Sequence, residues 1–86
     1  MVHFALTRKS YDDLVTQFGQ APSPLWVNNG VLSATEIKQL HEAGIDISNF
    51  TIDVNPQDPS DVAQAVDTIK EHHPGETVWV EHADGL

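Results

Sequence analysis

The sequence predicts a small α/β domain in which four strands alternate with three helices, in the order β-α-β-α-β-α-β. Two observations carry this prediction. Four short segments show the apolar patterns of strands, and the segments between them begin and end with helix-capping residues. Strict alternation of strands and helices favours right-handed crossovers and a largely parallel sheet. We therefore expect a single domain, residues 1–86, with one four-stranded sheet that is mostly parallel or mixed.

The first strand and the first helix lie at the start of the chain. Val2, Phe4 and Leu6 alternate with more polar residues, which is the period of a strand. Ser10 is the predicted cap of the first helix, and Gly19 is its predicted stop. Between them, apolar residues recur at helical spacing: Tyr11, Leu14, Val15 and Phe18.

The second strand and the second helix follow a Pro-Ser-Pro turn. A short apolar segment, residues 25–27, predicts the strand. The helix has the clearest start in the chain, because Ser33 and Glu36 form an S-x-x-E capping box. Gly44 is placed to adopt the left-handed conformation that ends many helices.

The third helix is predicted between two alternating segments. Residues 50–54 and residues 77–81 alternate apolar with polar side chains and predict the third and fourth strands. Asp58 is the expected helix cap, Pro59 occupies the first helical position, and Pro74 follows the end. Because three of the four predicted strands alternate in this way, we expect one face of the sheet to be only partly covered.

The composition excludes several classes of protein. The chain has no cysteine, which rules out a disulfide framework and a cysteine-based zinc site. No apolar run approaches the ~18 residues that span a bilayer, and the first residues lack the pattern of a signal peptide. We therefore expect a cytoplasmic protein that binds no membrane, with residues 82–86 as a flexible tail.

Charge gives the strongest indication of function. Thirteen acidic residues stand against four basic ones, and the formal net charge is −9. Ten of the acidic residues but only one basic residue lie in residues 42–86, so this half carries the whole excess. Such a field repels nucleic acid and attracts basic proteins. The predicted function is binding of a basic macromolecular partner in a regulatory, inhibitory, antitoxin-like or immunity-like role. The competing interpretation is a charge that only keeps the protein soluble and monomeric.

The outer face of the third helix is the first predicted partner-binding surface. Asp61, Asp67 and Glu71 fall on the side away from the apolar stripe of this helix. Asp67 and Glu71 repel each other at i,i+4 spacing, which a basic partner would relieve. A simple solvated face is the alternative interpretation of the same pattern.

The fourth strand gives the second predicted surface. If Ile52 and the other apolar alternates point at the helices, Trp79 and Glu81 point the other way. An outward tryptophan is a candidate anchor, because interfaces favour Trp at their centres. A helix or the C-terminal tail that covers Trp79 is the alternative interpretation. If Trp79 is not covered, a homo-oligomer packed through this Trp79 face, with no ligand, is an alternative to the basic partner.

The junction between the second strand and the second helix is a further alternative. Asn28, Asn29 and Gly30 lead towards the helix cap Ser33, and free backbone N–H groups at such a junction can hold an anion. This would make the protein a small-molecule-binding or enzymatic domain. The segment lacks both the Walker lysine and the G-x-G-x-x-G pattern.

Other chemistry is not predicted. His72, His73 and His82 supply potential metal ligands, but adjacent helical residues point about 100° apart and so do not share one ion. No sequence pattern of a nucleophile is present. We therefore predict no catalytic residue, no metal site and no cofactor.

Overall fold

The computed structural model of the protein describes residues 1–81. The predicted tail, residues 82–86, lies outside the described residues. Strands and helices alternate throughout the described part, with bounds as follows: β1 Val2–Ala5, α1 Arg8–Phe18, β2 Leu25–Val27, α2 Ala34–Glu42, β3 Ile47–Asn49, α3 Pro59–His72 and β4 Val78–Glu81.

The four strands form one parallel sheet in the order β3-β2-β1-β4. The register places His3 of β1 between Leu25 of β2 and Trp79 of β4. The chain therefore builds outwards from β1 to β3 and then crosses back to add β4 on the other side. The predicted α/β fold class and element order are confirmed.

Helices cover both faces of the sheet, and the expectation of one partly covered face is wrong for the two central strands. Ala5 and Leu25 pack with α1 and α2, whereas Phe4 and Trp26 pack with α3. The reason is the reversal of direction after β3, because right-handed crossovers that run in opposite directions place their helices on opposite faces. In β1 and β2, the alternation therefore does not mark a solvent-exposed face, because helices cover both sides of these strands.

The third strand lies earlier than the sequence predicts. β3 is Ile47–Asn49, and residues 50–58 form the loop that leads to α3. Phe50 and Val54 are buried from this loop, but Ile52 is 66% exposed instead of pointing at a helix. The alternating burial of residues 50–54 therefore arises in an irregular loop and not from pairing in the sheet.

The helix starts follow local hydrogen bonding. Thr7, not the predicted Ser10, caps α1: the Thr7 hydroxyl accepts from the Ser10 backbone N–H, and the Ser10 hydroxyl accepts from the Thr7 N–H at 2.9 Å. Ser33 and Asp58 cap α2 and α3 as predicted. No helix within residues 1–81 has both the length and the apolar character to cross a bilayer.

Candidate functional site

A cleft lies between the loop after β3 and the first half of α3. Its volume is about 270 Å³. We call it the acidic cleft and define it by its lining residues: Phe50, Ile52, Asp53, Val54, Asp61, Gln64, Ala65 and Thr68. It combines an apolar floor with two carboxylates.

Buried side chains hold the floor of the acidic cleft in place. Phe50 packs against Phe4 and Trp26, with ring centroids 5.4 and 5.2 Å apart. Val54 and Ala65 are each 4% exposed. The floor is therefore continuous with the hydrophobic core beneath α3, and its shape is fixed by core packing.

The clasp that fixes the loop is the side chain of Asn28, at the end of β2. Its amide nitrogen donates to the carbonyls of Leu6 and Val54, at 3.1 and 2.7 Å, and its oxygen accepts from the Val54 N–H at 2.9 Å. The same oxygen also accepts from the Asn29 N–H. This buried amide thus ties β1, β2 and the loop together.

Neutral groups hold the two carboxylates of the cleft. Asn29 Nδ2 donates to Asp53 Oδ1 at 2.8 Å, and the Asn55 N–H donates to Asp61 Oδ2 at 3.2 Å. Within residues 1–81, neither carboxylate forms an ion pair, and no lysine or arginine lines the cleft. The negative charge of the cleft is therefore available to a cation from outside.

The outer face of α3 continues this acidic surface. Asp67 and Glu71 are exposed one helical turn apart. Gln64, in the wall of the cleft, and Glu71 are seven residues apart and so point in nearly the same direction from the helix axis. The three predicted partner-binding residues Asp61, Asp67 and Glu71 thus all lie on α3, with Asp61 in the wall of the cleft and the other two outside it.

Trp79 lies on the opposite side of the sheet from α3. Its neighbours Val78 and Val80 pack against the core beneath α3, whereas Trp79 lines a second cavity of about 150 Å³ beside α1. The indole is 53% exposed, and Met1 and Phe18 are similarly exposed in the same cavity wall. The predicted partner-binding residues of α3 and the predicted Trp79 surface therefore lie on opposite sides of the sheet. The Glu81 side chain lies outside the described part.

The predicted anion-binding residues already have partners in the chain. The side-chain amide of Asn28 is hydrogen-bonded to Leu6 and Val54. Asn29 is bound to Asp53, and Ser33 forms a reciprocal capping box with Glu36. Gly30 has a φ of +84° in the turn between them. An anion site here stays a prediction that the geometry does not favour, because carboxylates surround the junction.

Two of the three basic residues of the first half, Arg8 and Lys9, are engaged within the chain. Both oxygens of Glu36 accept from Arg8, at 3.0 and 2.8 Å, and Lys9 pairs with Asp13. The hydrogen bond from the Ser33 backbone N–H, followed by the bond from Arg8, lowers the pKa of Glu36. Arg8 thereby links the first turns of α1 and α2.

The histidines at the end of α3 make structural contacts. His73 Nε2 accepts from the indole N–H of Trp26 at 3.1 Å, and His72 Nδ1 lies 3.0 Å from the Thr68 carbonyl. An indole N–H only donates, so His73 Nε2 is unprotonated in this arrangement. The described residues contain no group of three metal-ligating side chains.

The chain matches no protein-family model, no curated protein and no solved structure. Its function is therefore inferred from its own surfaces, beginning with the acidic cleft.

Asp61 is the one lining residue of the cleft that the sequence identifies as partner-binding; Asp53 and Ile52 are among those that it does not. Both fall in the segment predicted as a strand, which placed Asp53 in a solvated register. The Asn55-Pro56 and Asp58-Pro59 pairs that follow are turn and cap signals close together. They indicate a structured loop, but not that it folds against α3.

Proposed function

We propose that this protein binds a basic protein partner and that the acidic cleft receives an arginine or lysine side chain of that partner. The observation that carries the proposal is the pair of carboxylates, Asp53 and Asp61, on an apolar cleft that contains no cation from residues 1–81. Long basic side chains are suited to such a site, because their stems bury against apolar surface while the charged head reaches a carboxylate.

The rest of α3 would extend the contact. Asp67 and Glu71 continue the negative surface beyond the cleft, and charges at the edge of an interface raise the association rate more than the affinity. A partner with a basic surface, such as a nucleic-acid-binding protein, fits this arrangement. The proposed role is a regulatory, inhibitory, antitoxin-like or immunity-like one in the cytoplasm.

Calorimetric titration with an oligoarginine peptide tests this function. We expect the double substitution Asp53→Asn and Asp61→Asn to weaken binding by about tenfold, because it removes two partly exposed charge pairs. The matched control is Glu42→Gln with Asp46→Asn, which removes the same charge from exposed residues outside the cleft. If both double substitutions weakened binding equally, the interaction would depend on net charge alone, which would contradict specific binding in the cleft.

A homodimer through the Trp79 face is a second candidate. The observation that favours it is the group of exposed apolar residues, Met1, Phe18 and Trp79, around one cavity beside β4. Within the described residues β4 is an edge strand, paired only with β1. Exposed apolar surface of this kind marks interaction sites in many proteins.

Light scattering distinguishes the second candidate from the first. Two copies of a chain with a net charge of −9 repel each other, so salt should strengthen a dimer while it weakens a complex with a basic partner. Trp79→Ala should return the protein to the monomer, and Ile52→Ala, which trims an exposed residue on the other side of the sheet, should not. A wild-type monomer at high protein and salt concentrations would exclude the dimer.

A further inference from the structure

We propose that Asn29 is a site of spontaneous deamidation in the folded protein. Asn29 and Gly30 form the exposed turn between β2 and α2. In the reaction, the Gly30 backbone nitrogen loses its proton to solvent base and attacks Cγ of Asn29. The Cγ–Nδ2 bond breaks, and the amide leaves as ammonia after taking up a proton. The resulting five-membered succinimide is opened by water at either carbonyl, which gives aspartate or isoaspartate.

Gly30 is exposed, and its surroundings are open. A Cβ built on Gly30 would meet no atom within 4 Å, so the turn borders open space. The Gly30 N–H donates to no group among residues 1–81. The reaction therefore meets no packed neighbour at Gly30, and the one backbone bond that spans the reacting peptide among residues 1–81 is the long turn bond from the Val31 N–H to the Asn28 carbonyl, at 3.3 Å.

The other asparagines lack one requirement or another. Asn28 is buried with its amide fully used, and the next N–H is bound to the Asn28 oxygen. Asn49 precedes Phe50, whose N–H is bound to the carbonyl of Val27 at 3.0 Å. Asn55 precedes a proline, which has no N–H. The chain thus contains its own controls.

Deamidation would change the rim of the acidic cleft. Asn29 Nδ2 now donates to Asp53 Oδ1 at 2.8 Å. The product carries a carboxylate in place of that donor, so an attractive contact becomes a repulsion between like charges. The tie between the turn and the loop is lost, and the chain becomes one unit more negative. Only the effect on a basic partner rests on the proposed function; the reaction does not.

Peptide mapping of the full-length protein tests the proposal. The protein is incubated at neutral and at mildly alkaline pH, folded and in urea, and then digested and analysed by mass spectrometry. We expect the peptide containing Asn29 to gain the mass that results when NH₂ is replaced by OH, and to do so faster at the higher pH. The product should separate into two isomers, aspartate and isoaspartate. The peptides with Asn49 and Asn55 should remain unchanged in the folded protein. Asp84-Gly85 can also form isoaspartate, but without a change of mass.

Variants define the role of the Asp53 contact. Asp53→Ala frees the amide and should accelerate the reaction about two- to tenfold, the range that an ordinary hydrogen bond supports. Asn29→Gln keeps the side-chain amide but adds one methylene group between it and the backbone. This substitution should stop the reaction at this position. Circular dichroism verifies that both variants are folded. Conversion of Asn29 in urea but not in the folded protein, or in neither state, would overturn the proposal.

Discussion

At the residue scale, the acidic cleft depends on Asn28 more than on either carboxylate. Its amide satisfies backbone groups of Leu6 and Val54 that would otherwise be buried without partners. Asparagine suits this position because one side chain supplies two donors and an acceptor in one plane. The sequence predicts Asn28 as part of an anion site, whereas in the structure this residue holds the loop that forms one wall of the acidic cleft.

Replacing Asn28 should therefore cost more stability than replacing its neighbour. Asn28→Ala leaves buried donors and acceptors unsatisfied, and we expect a loss of roughly 2–4 kcal/mol in the free energy of unfolding. Asn29→Ala removes one exposed side-chain bond and should cost less than about 1 kcal/mol. Urea unfolding of both variants measures the difference. Equal losses would show that Asn28 does not hold the loop.

The pairing of Trp26 with His73 makes a second prediction at this scale. His73→Ala leaves the indole N–H of Trp26 without its acceptor and opens space beside a ring that is 8% exposed. We expect a loss of about 1–2 kcal/mol in stability, together with a change in Trp26 fluorescence. The control is His41→Ala, an exposed histidine in the last turn of α2, because the His72 ring itself contacts Trp26 with centroids 5.3 Å apart. An equal loss from the control would contradict a specific role for the pairing of Trp26 with His73.

At the element scale, the contact between the first turns of α1 and α2 depends on pH. The lowered pKa of Glu36 means that its ionised form is favoured in the folded state. Its contribution to stability is therefore present above the ordinary carboxyl pKa and is lost as pH falls through the lowered value. We expect the stability gap between wild type and Glu36→Gln to be largest near neutral pH and to shrink below about pH 4.

Denaturant unfolding across the acid range checks this dependence. Glu42→Gln, at the other end of the same helix, is the control and should show no such loss near neutral pH. A gap for Glu36→Gln that stays constant down to pH 2 would contradict a role for the ionised carboxylate.

The elements also show which parts of the fold could be predicted. Helix caps are local chemistry, so Ser33 and Asp58 were identified from sequence alone. The start of α1 was misplaced by a few residues because Thr7 and Ser10 both have hydroxyl groups and cap each other. The loop after β3 was misread because Phe50 and Val54 alternate as a strand would, while their burial depends on Asn28, a residue distant in sequence. The cleft could not be predicted, since it exists only where this loop meets α3.

At the scale of the whole molecule, part of the acidic excess lies on α3 and the loop before it. Two of the three cations of the first half are engaged in pairs, Arg8 with Glu36 and Lys9 with Asp13. On α3 and the loop before it, the cleft carboxylates form no ion pair within the described residues. The charge difference between the two halves of the sequence is therefore also a difference between paired charges on α1 and α2 and unpaired carboxylates at the cleft.

Binding to a basic partner should weaken in salt. The chain carries a net charge of −9, and salt screens the attraction between exposed charges of opposite sign. We expect affinity for the oligoarginine peptide to fall steadily as ionic strength rises. Calorimetry over a range of salt concentrations measures this. Affinity that is insensitive to salt would contradict an electrostatic complex.

The central claim concerns where a basic side chain binds, and backbone amide shifts measured by NMR during titration with the oligoarginine peptide test it most directly. The account predicts that the largest shifts cluster in residues 50–54 and 61–68, and that they disappear in the Asp53→Asn and Asp61→Asn variant while the Glu42→Gln and Asp46→Asn variant keeps them. Small shifts spread evenly over all acidic positions, or a cluster around Trp79, would contradict it.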